Sequence, residues 1–350
     1  MGRMTYHDQM DLQNTLKLRE LLKTLPEFAK DYFRAIDSTT TTKTRISYAY
    51  DIRIFFQFLI QNNPTFYDRK TSDFTVDTLD QIQAADIEEY MEYLKAYQTT
   101  DNEHITNSER GLKRKFSTLR SFYAYYFQHQ MIKTNPTMLI HMPKIHEKAI
   151  IRLDPDEVAK LLDYVEHCGN TLTGQKLAYY QKTKERDLAI LTLLLGTGLR
   201  VSECVGLDIE DVDFRNNAIK IIRKGGNEMF VYFSVEVETA LKQYLKVREK
   251  ISPVAGHEHA LFYSTQRKRI GVQAVENMVK KYARKITTTK NITPHKLRST
   301  YGTTLYQETG DIYLVADVLG HKDVNTTRKH YAAIDDQRRR KAATSVRLRE

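Results

Sequence analysis

Six side chains in the last third of this 350-residue chain have types and an order that suit one reaction: Arg200, Lys224, His295, Arg298, His321 and Tyr331. They offer two guanidinium forks, an ammonium, two imidazoles and a phenol. Two bidentate arginines fit the charge that builds on the nonbridging oxygens of a phosphorane-like transition state. Tyr331 would be the nucleophile, and its phenol needs cationic neighbours and a proton acceptor to attack. Lys224 would protonate the departing oxygen, His295 would help move the nucleophile's proton, and His321 would donate to a phosphoryl oxygen. Glu203, one turn beyond Arg200, would orient a cation or help position His295. The kit transfers a phosphoryl group to tyrosine without a metal or other cofactor. Taken singly, each residue has a simpler use as a surface charge, a capped histidine or one of 22 tyrosines; the order and contexts together carry the reading.

These groups need elements that bring them to a common point. Lys184–Leu195 reads as a buried helix that stops at Gly196-Thr197-Gly198, so that Arg200 opens the short helix Val201–Leu207. Ala218–Arg223 and Glu228–Phe233 alternate like two strands around Lys224-Gly225-Gly226-Asn227, a hairpin with glycines where positive φ is wanted. Thr293-Pro294 signals a cap and first turn, placing His295 and Arg298 on one face at the positive end of a helix that favours phosphate. Further helices are expected at about 235–250, 271–285, 294–308, 312–319 and 323–330, then a basic tail containing Arg338-Arg339-Arg340.

Length and charge set the frame. A chain of 350 residues suits two domains. No apolar run approaches the roughly 20 residues of a membrane span, and the N-terminus lacks an apolar signal core. Two cysteines, Cys168 and Cys204, exclude a disulfide framework and fit a reducing cytoplasm. A net charge of +10 favours a polyanionic partner once the basic residues are located.

In the first half, helices are expected near Leu12–Thr24 and Glu27–Ala35. A strong one follows the threonine run 39–42, carrying Ile46, Tyr50, Ile54, Phe55, Phe58 and Leu59. A second has Ile87, Tyr90, Met91, Leu94 and Tyr97 on one face. A third, about 108–129, has an apolar stripe from Leu112 to Tyr126 with Lys113, Arg114, Lys115 and Arg120 on the remaining surface. Lys43, Arg45 and Arg53 add charge on the first strong helix. The expected organisation is an N-terminal helical extension over 1–38, a helical domain over 39–140, a linker over 141–151 and a second domain over 152–350.

At this point the residues resemble the tyrosine recombinase (phage integrase) family. Gly196-Thr197-Gly198-Leu199-Arg200-Val201-Ser202-Glu203 is similar to its first-arginine box, and His295-Lys296-Leu297-Arg298 to its His-x-x-Arg box. Leu319-Gly320-His321, with Tyr331 ten residues on, is similar to its closing motif. The resemblance implies a mainly α fold with a small β-sheet: an N-terminal helical bundle (core-binding, SAM-like) plus an α+β tyrosine-recombinase catalytic domain. It further implies a C-shaped clamp on double-stranded DNA, a 3′-phosphotyrosine intermediate, and a homo-tetramer on DNA with C-terminal tails exchanged between protomers. ATP and divalent metal would take no part in the chemical step. The compact layout looks like the Xer type, which implies chromosome dimer resolution in the cytoplasm, at the nucleoid. Ser299 departs from the histidine frequent after the second arginine, and His167–Gln181 makes a longer connection than compact members need.

DNA contacts are expected from Lys43, Arg45, Lys113, Arg114, Lys115, Arg120, Arg267, Lys268 and Arg269. Phosphate contacts give salt-dependent affinity, and base reading is expected from the third helix in the major groove. The alternatives are a mobile-element integrase or excisionase, a topoisomerase-like relaxing activity on the same tyrosine, and a non-catalytic DNA-binding protein.

Overall fold

The computed structural model describes residues 4–98, 102–142, 144, 146, 150–223, 228–320 and 324. The chain divides into two compact units, 1–148 and 149–350. No described helix is long and apolar enough to cross a membrane.

The first unit is helical. It contains α1 (Tyr6–Leu22), α2 (Ala29–Ala35), α3 (Thr42–Asn62), α4 (Thr78–Gln81), α5 (Ala84–Tyr93) and α6 (Glu109–Gln128). Thr41 caps α3, accepting from the Thr44 N–H at 3.3 Å, and Ser108 caps α6 by accepting from Gly111 N–H at 3.3 Å. The core is aromatic: Tyr32, Phe55, Phe56, Phe122 and Tyr126 are almost fully buried, many in edge-to-face pairs. Leu18, Leu21 and Tyr32 place residues from 1–38 in this same core.

Tyr97 is not helical as expected. Helix α5 ends at Tyr93, and Tyr97 lies on β1 (Ala96–Gln98), paired antiparallel with β2 (His104–Thr106). Tyr97 still stacks on Tyr93 at 5.1 Å, so a helical spacing of four marked a real contact but the wrong backbone.

The second unit packs α7 (Pro155–His167), α10 (Val235–Arg248) and α12 (Pro294–Thr309) around the long α8 (Gly174–Thr197), with α11 (Val272–Ile286) against α7. The run Ala189–Leu194 on α8 is buried all round, which is why it lacks an amphipathic period. The presumed long connection 167–181 is largely the first two turns of α8. β3 (Val212–Asp213), β4 (Ala218–Ile222) and β5 (Glu228–Tyr232) form an antiparallel sheet in that order, β3 being too short to show in the sequence pattern. The short α9 (Val201–Gly206) and α13 (Ile312–Leu319) complete the described elements.

Candidate active site

The site is built around the C-terminal end of α13. Its start is fixed by Asp311, whose carboxylate accepts from Tyr313 N–H at 2.8 Å and Leu314 N–H at 3.1 Å. Its end is the left-handed Gly320, φ +61°. The last carbonyls of a helix have no intrahelical donors and carry the negative end of its dipole. Here they are met by arginines.

Arg298, one turn into α12 and 5% exposed, donates from Nη2 to the Leu319 carbonyl and from Nη1 to the Gly198 carbonyl. These bonds lock the plane of the fork between the ends of two helices. Arg200 is the N-cap of α9, and its Nη2 donates to the next carbonyl, Gly320 O, at 3.3 Å. Two guanidinium groups from different elements thus hold successive carbonyls of one turn. Glu203 is buried and holds Arg200 twice, accepting from its backbone N–H at 2.7 Å and its Nη1 at 2.8 Å. Of the two uses expected of Glu203, orienting a cation is the one its contacts perform.

The Gly196-Thr197-Gly198 break has separate reasons at its two glycines. A Cβ on Gly196 would come within 2.6 Å of Val237 on α10. Gly198 has φ +65° and a Cβ there would lie 2.5 Å from the Tyr301 ring. The chain therefore turns directly beneath α12, which delivers the Gly198 carbonyl to Arg298.

His295 is exposed in the first turn of α12, and its carbonyl accepts from the Ser299 hydroxyl at 3.1 Å. Lys224, His321 and Tyr331, with the 224–227 turn, the 323–330 helix (Val324 apart) and the basic tail, lie outside the described residues. Two described groups of this unit are disfavoured as nucleophiles by burial: Cys204 is fully buried with its thiol pushed up to about 12, and burial also raises the Tyr301 phenol. No group of three or more metal-ligating side chains exists among the described residues.

One contributor escaped the sequence reading. Arg223, at the end of β4, donates from Nη2 to Val318 O at 2.7 Å and from Nη1 to Asp317 O at 3.3 Å. Its position directly before Lys224 was the available signal.

The expected DNA contacts separate into two groups. Lys43, Arg120, Arg267 and Lys268 are exposed and Lys113 is half-buried. The others are also engaged within the protein. Asp51 is 2% exposed on α3; Arg114 forks onto it, one arm at 2.8 Å, and Thr118 donates to it at 3.0 Å. Lys115 is buried beside the same carboxylate and donates to Asn107 at 3.0 Å; burial pulls its pKa down. Arg45 pairs with Asp37. Arg269 donates to Val205 O at 3.0 Å and Leu207 O at 2.7 Å and pairs with Asp208, closing the end of α9. Buried Asp51 recruits Arg114 and Lys115, while Asp37 and Asp208 pair with Arg45 and Arg269, and nothing in the cations' own sequence pattern reveals these partners.

Residues 151–338 match the Phage integrase family. The chain is 32% identical over 338 residues to Tyrosine recombinase XerC of Caldanaerobacter subterraneus subsp. tengcongensis, covering 93% of this chain and 88% of that protein. It is 30% identical to Tyrosine recombinase XerS of Streptococcus uberis, over 92% and 96% of the two chains. In fold it resembles XerH site-specific recombinase bound to palindromic difH substrate, with TM-score 0.67 and 20% identity over 98% and 91% of the chains. It also resembles the Tn1549 transposon integrase in complex with transposon right end DNA, with TM-score 0.66 and 19% identity over 91% and 99%. The mainly α fold, the arginine-box geometry and these full-length likenesses converge: the chain belongs to the phage integrase family, as a tyrosine recombinase of the Xer type.

Proposed function

We propose that this recombinase resolves chromosome dimers, cutting and rejoining double-stranded DNA at a specific site through a 3′-phosphotyrosine on Tyr331. The supporting observation is the pair of guanidinium forks, Arg200 and Arg298, fixed side by side over the end of α13. In the reaction the forks neutralise charge developing on the scissile phosphoryl group. His295 handles the proton of the Tyr331 phenol, His321 donates to a phosphoryl oxygen, and Lys224 protonates the 5′ oxygen as it leaves. Glu203 keeps the Arg200 fork in plane. Identity of 30–32% to Xer recombinases, against 19% to the transposon integrase, supports chromosome dimer resolution over mobile-element integration.

The partner on this reading is duplex DNA, contacted through Lys43, Lys113, Arg120, Arg267 and Lys268. Strand exchange takes place in a homo-tetramer with C-terminal tails exchanged, in the cytoplasm at the nucleoid. Residues 39–140 serve as the core-binding domain beyond the 1–38 extension, 141–151 as the linker and 152–350 as the catalytic domain.

The test is a nicked suicide duplex carrying the sites that flank this gene, incubated in EDTA with wild type and with Tyr331→Phe. A denaturation-resistant protein–DNA band with wild type alone is expected. A band that survives Tyr331→Phe, or tight binding with no band at all, rejects the reading.

A further inference from the structure

The end of α13 is held by a third arginine for which the proposed chemistry has no use. Arg223 reaches across from β4, its two Nη groups on the Asp317 and Val318 carbonyls. The carbonyls of residues 317, 318, 319 and 320 are thus covered in sequence by Arg223, Arg298 and Arg200. Arg223 also lies flat against Gly320: a Cβ there would fall 1.3 Å from its Nη1, so only a glycine admits the guanidinium. Seating a cation beside Arg200 is unfavourable in itself. Burial, with the Arg200 charge, lowers the Arg223 pKa, against the pull of Glu203 and Asp317. Its Nε is buried without a hydrogen-bond partner among the described residues. A helix end needing only solubility or a cap would be served by water or one lysine.

Covalent connectivity gives this contact its consequence. Arg223 is followed in the chain by Lys224, and Gly320 by His321. One side chain therefore ties the strand that leads into the first group to the helix end that leads into the second. We propose that Arg223 is a positioning residue for strand cleavage, setting the end of α13 so that His321 meets the scissile phosphoryl oxygen. On this assignment it acts through the helix end and not on the substrate itself. This assignment rests on the proposed function.

The test is a double-mutant cycle on single-turnover formation of the covalent adduct. The probe is a nicked suicide duplex enriched by the wild-type protein from a random-sequence DNA pool. Arg223→Gln is expected to slow adduct formation about 10- to 100-fold, while affinity for the same duplex and the thermal midpoint stay close to wild type. Arg223→Lys, with a single nitrogen in place of the two that reach separate carbonyls, falls between. The deciding comparison is with His321→Ala: the double variant is expected to be no slower than His321→Ala alone, because both substitutions remove one contribution. Multiplicative defects overturn the assignment, as does a loss of binding or thermal stability that accounts for the slow cleavage in both Arg223 variants. The Tyr331→Phe control separates the two readings. If wild type forms an adduct and Tyr331→Phe does not, the proposed function stands and the cycle alone decides Arg223. If wild type forms none, both are rejected.

Discussion

At the scale of single residues, one buried carboxylate holds an arginine fork in place from two sides. Glu203 satisfies the N-terminal N–H of α9 and holds the Arg200 fork through the same carboxylate. Glu203→Gln keeps the shape, but it removes the charge and leaves one acceptor, its NH2 group facing an Arg200 donor. A hydrogen bond to a charged group is worth about 1 kcal/mol more than a neutral one, which is roughly a 5- to 10-fold change. Adduct formation on the suicide duplex is expected to slow by at least that factor with DNA affinity unchanged. A defect confined to affinity would show that Glu203 acts on binding instead. The same attention to partners corrects the third helix: Arg114 and Lys115 look like surface charges in the sequence, yet both face Asp51. Within that basic run, Lys113 and Arg120 are the two with no described acidic partner.

At the scale of elements, the recurring device is a helix end met by another element's side chain. Helix α8 stops in a left-handed glycine whose carbonyl anchors Arg298, and α13 stops in another that anchors Arg200 while the three residues before it anchor Arg223 and Arg298. Gly198→Ala is therefore expected to cost about 1–2 kcal/mol for the positive φ, plus the cost of displacing Tyr301. Gly174→Ala is the internal control, since Gly174 has φ +55° with nothing within 4 Å of its Cβ position. In urea denaturation the Gly198 variant should lose more stability than the Gly174 variant, and it alone should slow adduct formation. Equal losses would mean that the contact with α12 carries no weight. The sequence marked the α8 break through its two glycines, but it could not say that one serves helix packing and the other the site.

At the scale of the whole molecule, the charge of +10 resolves into cations of two kinds. Some are spent on internal carboxylates and carbonyls, and the exposed ones remain for phosphate. Affinity for DNA should fall with salt in proportion to the phosphates neutralised. Lys113→Ala, Arg120→Ala and Lys268→Ala are each expected to reduce that log–log slope by about 1. Arg269→Ala should leave the slope unchanged and lower thermal stability, because its guanidinium closes the end of α9. A reduced slope with intact stability in the Arg269 variant would return it to the DNA contacts.

By itself the sequence determined the parts set by local physics. The threonine run 39–42, Thr293-Pro294, the glycine breaks and the 3.6-residue apolar stripes placed most helices to within a few residues. The order of two arginine boxes and a closing tyrosine motif marked the reaction class. What only the tertiary structure decided depends on partners distant in sequence. Asp51 lies 63 residues from Arg114, and Gly320 lies 120 from Arg200. No periodicity records such pairs, so the uses of Arg114, Lys115, Arg223 and Arg269 appear only once the helix ends are brought together.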